Sequence, residues 1–289
     1  MKEIVKEKIA SLLSGDEEIQ SVEQLGGMTN QNYLVQTSSN QYIVKFFGKG
    51  TDKLIDRQNE KFNLELLKDL KLDVENYLFD IEAGIKVNQY IENAETLDST
   101  TIKSKFEKIA PILQTIHASG KELRGEFAPF EEIKKYESLI QGEISYPNYD
   151  AVRKSVFSLK EELEQIGVDK KSCHIDLVPE NFIEGPDGHL YLIDWEYSSM
   201  NDPMWDLAAL FLESEFTSAE EEDFLSHYES DNTPVSREKI RIYKILQDII
   251  WSLWTIYKEE NGADFGDYGI SRYNRAVKEL ESEGDLNEN

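Results

Sequence analysis

Cysteine is almost absent from this sequence of 289 residues, and basic residues are few. The single cysteine, Cys173, excludes an intramolecular disulfide, which is typical of proteins in reducing compartments. The 31 lysines and arginines stand against 57 acidic residues, so the formal charge is −26. Because a chain this acidic repels nucleic acids and anionic lipids, we expect neither as a partner.

Long apolar runs are missing as well. The longest nearly apolar stretch, residues 249–257, is far shorter than the ~20 residues that span a bilayer. Residues 1–18 mix charges at helical spacing and lack the apolar segment of a signal peptide. Hydrophobic residues still make up 39% of the chain, which is typical of globular proteins. These features predict a cytoplasmic protein without membrane insertion, long enough to bury a core unaided.

The residue pattern in the first third of the chain indicates a small β-sheet. Residues 3–13 and 55–70 have apolar positions at helical spacing, and the runs between them alternate as strands do. The predicted strands are 19–25, 33–37, 41–47, 77–79 and 85–90. We therefore expect residues 1–88 to form a small antiparallel sheet with one inserted helix.

The remainder of the chain is mostly helical. Helical spacing predicts helices over 101–119, 130–140, 151–166 and 239–259. Residues 173–194 interrupt them with two strand-like runs around the turn signal 185–188, and Asp202-Pro203 opens a further helix. The sequence thus predicts an α+β protein with two lobes: residues 1–88, a hinge at 89–93, and residues 94–289. A cleft between two lobes commonly holds a ligand.

The most informative pattern lies between residues 173 and 194. His174 and Asp176 are followed by Asn181, and Asp194 ends the second strand-like run. Phosphoryl transfer needs a carboxylate to orient and deprotonate the attacking hydroxyl, and amide and carboxylate oxygens to hold Mg²⁺ against the phosphates. The pattern therefore predicts Asp176 as the base and Asn181 and Asp194 as metal ligands. We expect His174 to brace the loop through hydrogen bonds.

This pattern resembles the catalytic loop of the protein-kinase-like small-molecule kinases, which include aminoglycoside phosphotransferases and choline/ethanolamine kinases. Residues 193–197, Ile-Asp-Trp-Glu-Tyr, with Asp202-Pro203 and 206–208 after them, are similar to the version in choline kinases, in particular the bacterial LicA type. The resemblance extends from Gly26 to Tyr273. It implies a kinase fold with residues 1–88 as the nucleotide-binding lobe, and transfer of the ATP γ-phosphate to choline with Mg²⁺.

The resemblance also implies where ATP binds. Lys45, at the end of an apolar strand, is similar to the phosphate-binding lysine, and Glu60, or less well Glu65, to its ion-pair partner. The polar segment 26–32 is expected near phosphate, although its spelling departs from G-x-G-x-x-G and no Walker A loop is present. The residues expected to bind ATP are Lys45, Glu60, Thr29, Asn30, Gln89, Tyr90 and Ile91.

The acceptor alcohol is indicated by aromatic residues near the end of the chain. Trp251 and Trp254 lie three residues apart and share a helix face, which is also typical of a helix core. A quaternary ammonium group is held best by aromatic faces. The resemblance implies a choline site of Asp176, Tyr197, Trp251, Trp254 and Tyr268, with Glu196 and Glu213 adding attraction for a cation. A primary ammonium would be poorly satisfied there, so choline is favoured over ethanolamine.

Three alternatives remain open at this point. The acceptor can be another amine, such as ethanolamine, thiamine or an aminoglycoside. A non-catalytic module that binds choline or nucleotide is disfavoured by the complete set of catalytic residue types. A cysteine hydrolase that uses Cys173 and His174 is disfavoured because adjacent residues of an extended strand point to opposite faces. His117, His189 and His227 lack the spacing of zinc ligands and are expected to be structural or exposed.

Overall fold

The computed structural model describes residues 2–9, 11–13, 17–26, 30–48, 50–282 and 284. The chain forms two compact units. The first comprises Met1–Ile112 and Pro179–Ser198, and the second comprises Leu113–Val178 and Ser199–Asn289. These units differ in their bounds from the predicted lobes, which are residues 1–88 and 94–289 with a hinge at 89–93. The predicted lobes and hinge stay a prediction.

The secondary structure is mixed, as predicted. The helices are α1 (Lys2–Ile9), α2 (Arg57–Leu67), α3 (Phe106–His117), α4 (Pro129–Leu139), α5 (Tyr149–Ile166), α6 (Pro203–Glu213), α7 (Ser218–Tyr228), α8 (Arg237–Glu260) and α9 (Tyr268–Ser282). The strands are β1 (Ile19–Gln24), β2 (Gln31–Thr37), β3 (Gln41–Phe46), β4 (Asn76–Asp80), β5 (Ile85–Gln89), β6 (Glu95–Thr96), β7 (Lys171–Cys173), β8 (Phe182–Glu184), β9 (Leu190–Leu192) and β10 (Ser199–Asn201). Among the described residues, no helix is both long and apolar enough to cross a membrane.

A five-stranded antiparallel sheet dominates the first unit. Its strand order is β1-β2-β3-β5-β4, and β2 and β3 are joined by the predicted turn, where Thr37 N donates to Asn40 O at 2.8 Å. Alternate side chains of these strands point to one face, where they pack against α1. The resulting core consists of Val5, Ile9, Tyr33, Val35, Tyr42, Val44, Ile85 and Val87. Helix α2 begins two residues after its predicted start at Ile55, because Asp56 caps it by accepting hydrogen bonds from Gln58 N and Asn59 N.

A smaller sheet of the first unit brings two predicted site residues to one hairpin. Strands β8 and β9 pair in antiparallel fashion beside β6. The predicted turn closes the hairpin, with Gly188 N donating to Gly185 O at 2.8 Å and Gly188 at a φ of 79°. Asn181 directly precedes β8, and Asp194 follows β9 after one residue.

Helix α8 is the central element of the second unit. It packs against α4, α5, α6 and α9, and its side chains are buried along most of its length. Helix α6 begins at Pro203, as predicted, because Asp202 accepts a hydrogen bond from Met204 N. Strands β7 and β10 form an antiparallel pair in which Cys173 lies opposite Ser199. The segment that carries His174 and Asp176 leaves this pair directly.

Candidate active site

In the first unit, Lys45 forms an ion pair with Asp194. The Lys45 Nζ atom on β3 lies 2.6 Å from Asp194 Oδ1. Burial works to lower the pKa of Lys45, but the carboxylates of Asp194 and Glu196 outweigh it and raise the pKa above its ordinary value. The ammonium group is therefore charged. Asp194 adopts the left-handed conformation with a φ of 68°, which aspartate tolerates better than most residues.

The predicted ion pair between Lys45 and Glu60 is not the one that forms. Glu60 instead pairs with Lys86 at 2.9 Å and with Arg57 at 2.6 Å. Strand register explains the difference: Lys45 and Lys86 lie opposite each other on β3 and β5, so Glu60 pairs with one lysine and Asp194 with the other. Burial raises the pKa of Glu60, but Lys86 and Arg57 hold it below its ordinary value. Glu65 is exposed on α2.

A buried polar network includes Asn30 and Glu196. Arg57 donates to Glu196 Oε2 at 2.9 Å and to Asn30 Oδ1 at 3.0 Å, and its guanidinium lies 4.1 Å from the centre of the Phe47 ring. Asn30 Nδ2 also donates to Glu196 Oε2, at 2.8 Å. The carboxylate predicted to attract a cationic substrate is thus engaged with Arg57 and Asn30. Thr29, predicted to bind ATP, lies outside the described residues.

Asn181 and Asp194 are linked through the backbone of the β8–β9 hairpin. Ile193 N, which directly precedes Asp194, donates to Asn181 O at 2.8 Å. The Asn181 side chain is buried, and the Asp194 side chain is 27% exposed. An amide oxygen and a carboxylate oxygen are hard donors of the kind that Mg²⁺ prefers. The donor set therefore fits this metal.

Asp73 is a neighbour of this group that the sequence did not reveal. It directly follows Leu72, whose carbonyl accepts a hydrogen bond from Leu192 N at 2.8 Å, close to Asp194. Burial raises the pKa of Asp73 to about 7, and the negative charge of Asp194 works in the same direction. No sequence motif marks Asp73, because it lies near Asp194 only through the hydrogen bond between Leu72 and the β8–β9 hairpin.

The residues predicted at adenine follow the end of β5. Gln89 is the last residue of the strand and donates its N–H to Glu75 O at 2.8 Å. Tyr90 and Ile91 follow outside any strand and are half-buried. Their role at adenine stays a prediction.

In the second unit, Asp206 braces the loop that carries Asp176. The backbone N–H groups of His174 and Ile175 each donate to the Asp206 carboxylate at 2.8 Å. Trp205 Nε1 donates to Ile175 O at 3.0 Å. His174 thus braces the loop, as predicted, through a hydrogen bond that its backbone N–H donates, and the acceptor, Asp206, lies on α6.

Ile175 is in a strained conformation directly before Asp176. Its φ is 77°, a region that costs about 1–3 kcal/mol for a residue other than glycine and is rare for a β-branched one. The hydrogen bonds to Asp206 and from Trp205 hold both of its backbone polar groups in place. Asp176 itself is only partly buried. These hydrogen bonds therefore fix the direction in which the chain presents Asp176.

Cys173 lies beside this loop and has no feature of a nucleophile. It is fully buried, and its Sγ donates to Asn201 O at 3.4 Å. Burial raises the pKa of the thiol well above its ordinary value, which disfavours the reactive thiolate. Its Sγ lies within 4.8 Å of donor atoms of His117 and Asp206. Because the Asp206 carboxylate already accepts hydrogen bonds, we assign this group to structure rather than to a metal ion.

The aromatic residues predicted to hold choline cluster on α8 and at the start of α9. The Trp251 and Trp254 rings lie 6.4 Å apart at 87°, on one helix face as predicted. Phe265, which no sequence motif marks, lies 5.0 Å from Trp254 and 6.5 Å from Tyr268. Burial raises the pKa of Tyr268, and the Asp176 carboxylate contributes to this shift. Tyr197 is half-buried in the first unit.

Arg272 neutralises the carboxylate predicted on α6. Glu213 forms an ion pair with Arg272, which also lies 3.0 Å from Asp248 on α8. The Arg272 guanidinium lies 4.7 Å from the centre of the Tyr268 ring, one helical turn before it on α9. Glu213 thus holds α9 and Tyr268 through Arg272 rather than standing as a free negative charge.

Comparison with known proteins places these features in one family. The family model for choline/ethanolamine kinases matches residues 22–241. Protein LicA of Haemophilus influenzae is 33% identical over 269 residues, which cover 89% of this chain and 79% of that protein. The chain belongs to the choline/ethanolamine kinase family. The predicted resemblance is thereby confirmed, and the protein is a kinase of this family.

Solved structures of the choline/ethanolamine kinase family agree with the fold described above. The crystal structure of choline kinase LicA from Streptococcus pneumoniae is 78% identical, with a TM-score of 0.94, and the match covers 98% of this chain and 99% of that one. A crystal structure of LicA in complex with AMP is 79% identical, with a TM-score of 0.92 and coverage of 97% and 98%. The predicted α+β kinase-like fold is confirmed.

Proposed function

We propose that this protein is a choline kinase that transfers the γ-phosphate of ATP to the hydroxyl of choline, giving phosphocholine and ADP. The observation that carries the proposal lies in the second unit. There the Trp254 ring lies 6.4 Å from Trp251 and 5.0 Å from Phe265, and Phe265 lies 6.5 Å from Tyr268, so the aromatic side chains that suit a quaternary ammonium group form one cluster. The 78% identity to choline kinase LicA supports the same substrate.

Each residue in the proposal has a defined role in the transfer. Asp176 accepts a hydrogen bond from the choline hydroxyl and takes its proton as the oxygen attacks the γ-phosphorus. The bond from the γ-phosphorus to the bridging oxygen breaks, and ADP leaves with that oxygen. The charged ammonium of Lys45 binds phosphate oxygens. Positioning and neutralisation of charge supply most of the rate enhancement in such reactions.

Mg²⁺ completes the proposed site. Asn181 and Asp194 would hold it, since their oxygens are hard donors at one hairpin and the Asp194 carboxylate is partly exposed. When bound, the metal neutralises negative charge on the phosphates. The backbone of residues 89–91 and the side chain of Asn30 remain the proposed surroundings of the nucleotide.

The aromatic group accounts for a preference for choline. A quaternary ammonium donates no conventional hydrogen bond and gains ~0.5–1 kcal/mol from each exposed aromatic face and ~2 kcal/mol or more from a desolvated one. Trp251 and Trp254 are 8% and 6% exposed, so their faces lie in a largely desolvated setting. Ethanolamine would bring three N–H donors to the same faces, where they lose their water.

The decisive experiment measures ADP release from ATP and Mg²⁺ with choline, ethanolamine, thiamine and kanamycin tested one at a time. We expect choline to stimulate release and phosphocholine to form in equal amount. The alcohol 3,3-dimethylbutan-1-ol is the matched control, because it has the shape of choline without the charge, and we expect a much higher KM for it.

The possible outcomes separate the alternatives. Stimulation by ethanolamine alone would keep the kinase and overturn the choline assignment, which is the nearest alternative because the family includes both activities. Stimulation by thiamine or kanamycin alone would overturn it as well. ATP binding without turnover by any amine would indicate a binding module. The cytoplasmic location stays a prediction.

A further inference from the structure

Gly269 is the second residue of α9, and the helical backbone does not require a glycine at this position. The residue is buried, directly follows Tyr268, and lacks the positive φ that excludes other residues. Alanine is ordinarily favoured over glycine in a helix, because its unfolded chain has fewer conformations to lose. The glycine is therefore explained by packing rather than by the backbone.

The space that a side chain at position 269 needs is already occupied. A Cβ atom placed on Gly269 would lie 2.6 Å from Tyr146 Oη and 2.9 Å from both Cβ and Cγ2 of Thr255. Carbon atoms in contact are normally about 3.5–4.0 Å apart, so a side chain here requires a movement of the structure. Thr255 lies on α8 directly after Trp254. Gly269 thus allows the start of α9 to approach α8 closely beside Trp254.

Neither neighbour can give way without losing interactions. The Oγ1 atom of Thr255 donates to Trp251 O at 2.8 Å, which fixes the rotamer of this buried side chain. Tyr146 Oη donates to Ser252 O at 3.0 Å, and the Tyr146 ring stacks on Tyr273 with the ring centres 4.6 Å apart. An added methyl group is therefore accommodated mainly by a shift of the first turn of α9.

Ion pairs hold α9 against α8 farther along the helix. Asp248 on α8 lies 3.0 Å from Arg272 and 2.6 Å from Arg275. With these contacts in place, crowding at Gly269 tilts the first turn of α9 and leaves the rest of the helix in position. Because the Cα atoms of adjacent residues are only about 3.8 Å apart, Tyr268 follows any shift of Gly269.

We propose that Gly269 is a positioning residue that sets amine selectivity, because it lets Tyr268 close the aromatic group around a trimethylammonium head. The inference deepens the proposed function and rests on it, since that function makes the aromatic group the site of the amine. A larger residue at 269 moves the Tyr268 ring outward. This movement weakens the contact with the methyl groups of choline and makes room for bulkier substituents, while the transfer step stays intact.

Gly269→Ala is the primary variant, because it adds only the methyl group. Gly142→Ala is the matched control: a Cβ atom there would also lie 2.9 Å from a neighbour, but this neighbour is the carboxylate of the exposed Glu260, which can move. Adding Tyr146→Phe and Thr255→Ser to Gly269→Ala gives a compensated variant, which lacks two of the three crowding atoms and keeps the hydroxyl at 255. The same two changes without Gly269→Ala control for their own effect.

The first readout is kcat and KM for choline and for its triethyl analogue, (2-hydroxyethyl)triethylammonium. We expect Gly269→Ala to raise the KM for choline about 3–30-fold, as for a weakened contact with one aromatic face. We expect kcat and the KM for ATP to stay within about twofold of the wild type. The kcat/KM of the triethyl analogue relative to that of choline should rise about fivefold or more, because the head group gains room.

The controls have defined outcomes in the same assay. We expect Gly142→Ala to match the wild type, and Tyr146→Phe with Thr255→Ser to stay close to it. The compensated variant should recover part of the KM for choline, since only the Cβ atom of Thr255 still crowds position 269.

The second readout is calorimetry of amine binding without ATP, which does not depend on turnover. The Kd for choline should rise in Gly269→Ala, and the Kd for the triethyl analogue should change less. If Gly269→Ala does not fold, the compensated variant decides by the same ratio of Kd values.

An unchanged ratio between the two amines in Gly269→Ala would overturn the proposal, as would equal losses for both amines together with a lower kcat. If the wild type binds choline without phosphorylating it, the proposed function fails, and the ratio of Kd values still tests Gly269. If the wild type does not bind choline, both proposals fail.

Discussion

The charged side chains of the first unit form ion pairs other than the predicted pair of Lys45 and Glu60. Lys45 pairs with Asp194, while Glu60 pairs with Lys86 and Arg57. Each of these five side chains has a partner of opposite sign, which offsets the cost of removing its charge from water. The charge of Lys45 is therefore retained where phosphate is proposed to bind.

Replacement of Asp176 by asparagine tests its role as the base. We expect kcat for choline to fall about 10²–10⁴-fold, since the amide cannot accept the hydroxyl proton. Binding of ATP, measured by calorimetry, should stay within about twofold of the wild type. Turnover within a few-fold of the wild type would contradict the assignment.

Trp254→Ala tests the aromatic group. Loss of one aromatic face should raise the KM for choline about 2–30-fold, which corresponds to ~0.5–2 kcal/mol. The KM for ATP and kcat should change little. Trp254→Phe is the matched control, because it keeps an aromatic face and should raise the KM less. An unchanged KM for choline in Trp254→Ala would remove this residue from the site.

Asp73→Asn tests a pH effect on stability. The pKa of Asp73 is about 7 in the folded protein and about 3.9 when unfolded, so the folded state binds the proton more tightly. Its contribution to stability is present below about pH 4 and is lost as the pH rises through about 7. Asparagine does not titrate, so the variant should gain stability over the wild type as the pH rises from about 5 to about 8. Urea unfolding at both pH values measures this, and a difference that does not change with pH would contradict it.

Single elements of the fold position the functional residues. The β8–β9 hairpin brings Asn181 and Asp194 together although 12 residues of sequence separate them, because β8 and β9 pair around the turn at 185–188. Helix α6 is capped by Asp202 and carries Asp206 in its first turn, where the Asp206 carboxylate accepts hydrogen bonds from the backbone of His174 and Ile175 after β7. The start of α6 therefore determines where the loop lies.

Asp202→Asn tests the start of α6. The asparagine side chain would still cap the helix, but Lys239, 2.7 Å from Asp202 and buried, would lose its main partner. We expect the free energy of unfolding to fall by about 3 kcal/mol, toward the lower end for a broken buried pair, because Asp169 also lies near Lys239. Thr217→Ala, which removes the exposed cap of α7, is the control and should cost about 1 kcal/mol. Equal losses in urea unfolding would contradict this account.

The sequence predicted most elements of the fold and suggested several residues of the candidate site, for reasons that are local. Each of these predictions depends on a short stretch of chain. The stretches are the turn at 185–188, the Asp202-Pro203 start of α6, and the segment that contains Asp176, Asn181 and Asp194. The partners of Glu60 and the role of Asp206 were not predictable in this way. They depend on the register of β3 and β5 and on the packing of α6 against β7, which no short pattern encodes.

At the scale of the whole molecule, the formal charge of −26 is the dominant property. Mutual repulsion of so many acidic groups opposes folding, and the same field attracts a cationic substrate and repels ATP. Both effects depend on ionic strength, because the screening length falls from about 30 Å at 0.01 M to about 8 Å at 0.15 M. A change in ionic strength therefore separates the effect of the long-range electrostatic field from the effect of direct contacts in the site.

We expect added salt over this range to raise Tm and to raise the KM for choline. The uncharged 3,3-dimethylbutan-1-ol is the control for the second effect, since its KM should not respond to the field. Thermal melts and steady-state rates at about 0.01 M and about 0.15 M ionic strength measure both. A Tm that falls with salt, or equal shifts in KM for the two alcohols, would contradict this.

The perpendicular pair of Trp251 and Trp254 also has an optical consequence. Trp195 and Trp205 are fully buried, and each donates its indole N–H to a backbone carbonyl, so their emission should be insensitive to ligands. Indoles only 6.4 Å apart couple their electronic transitions, and the circular dichroism and fluorescence of the pair should change when a cation lies against either ring. The protein thus contains its own spectroscopic reporter, which can register amine binding in the absence of ATP and of any turnover.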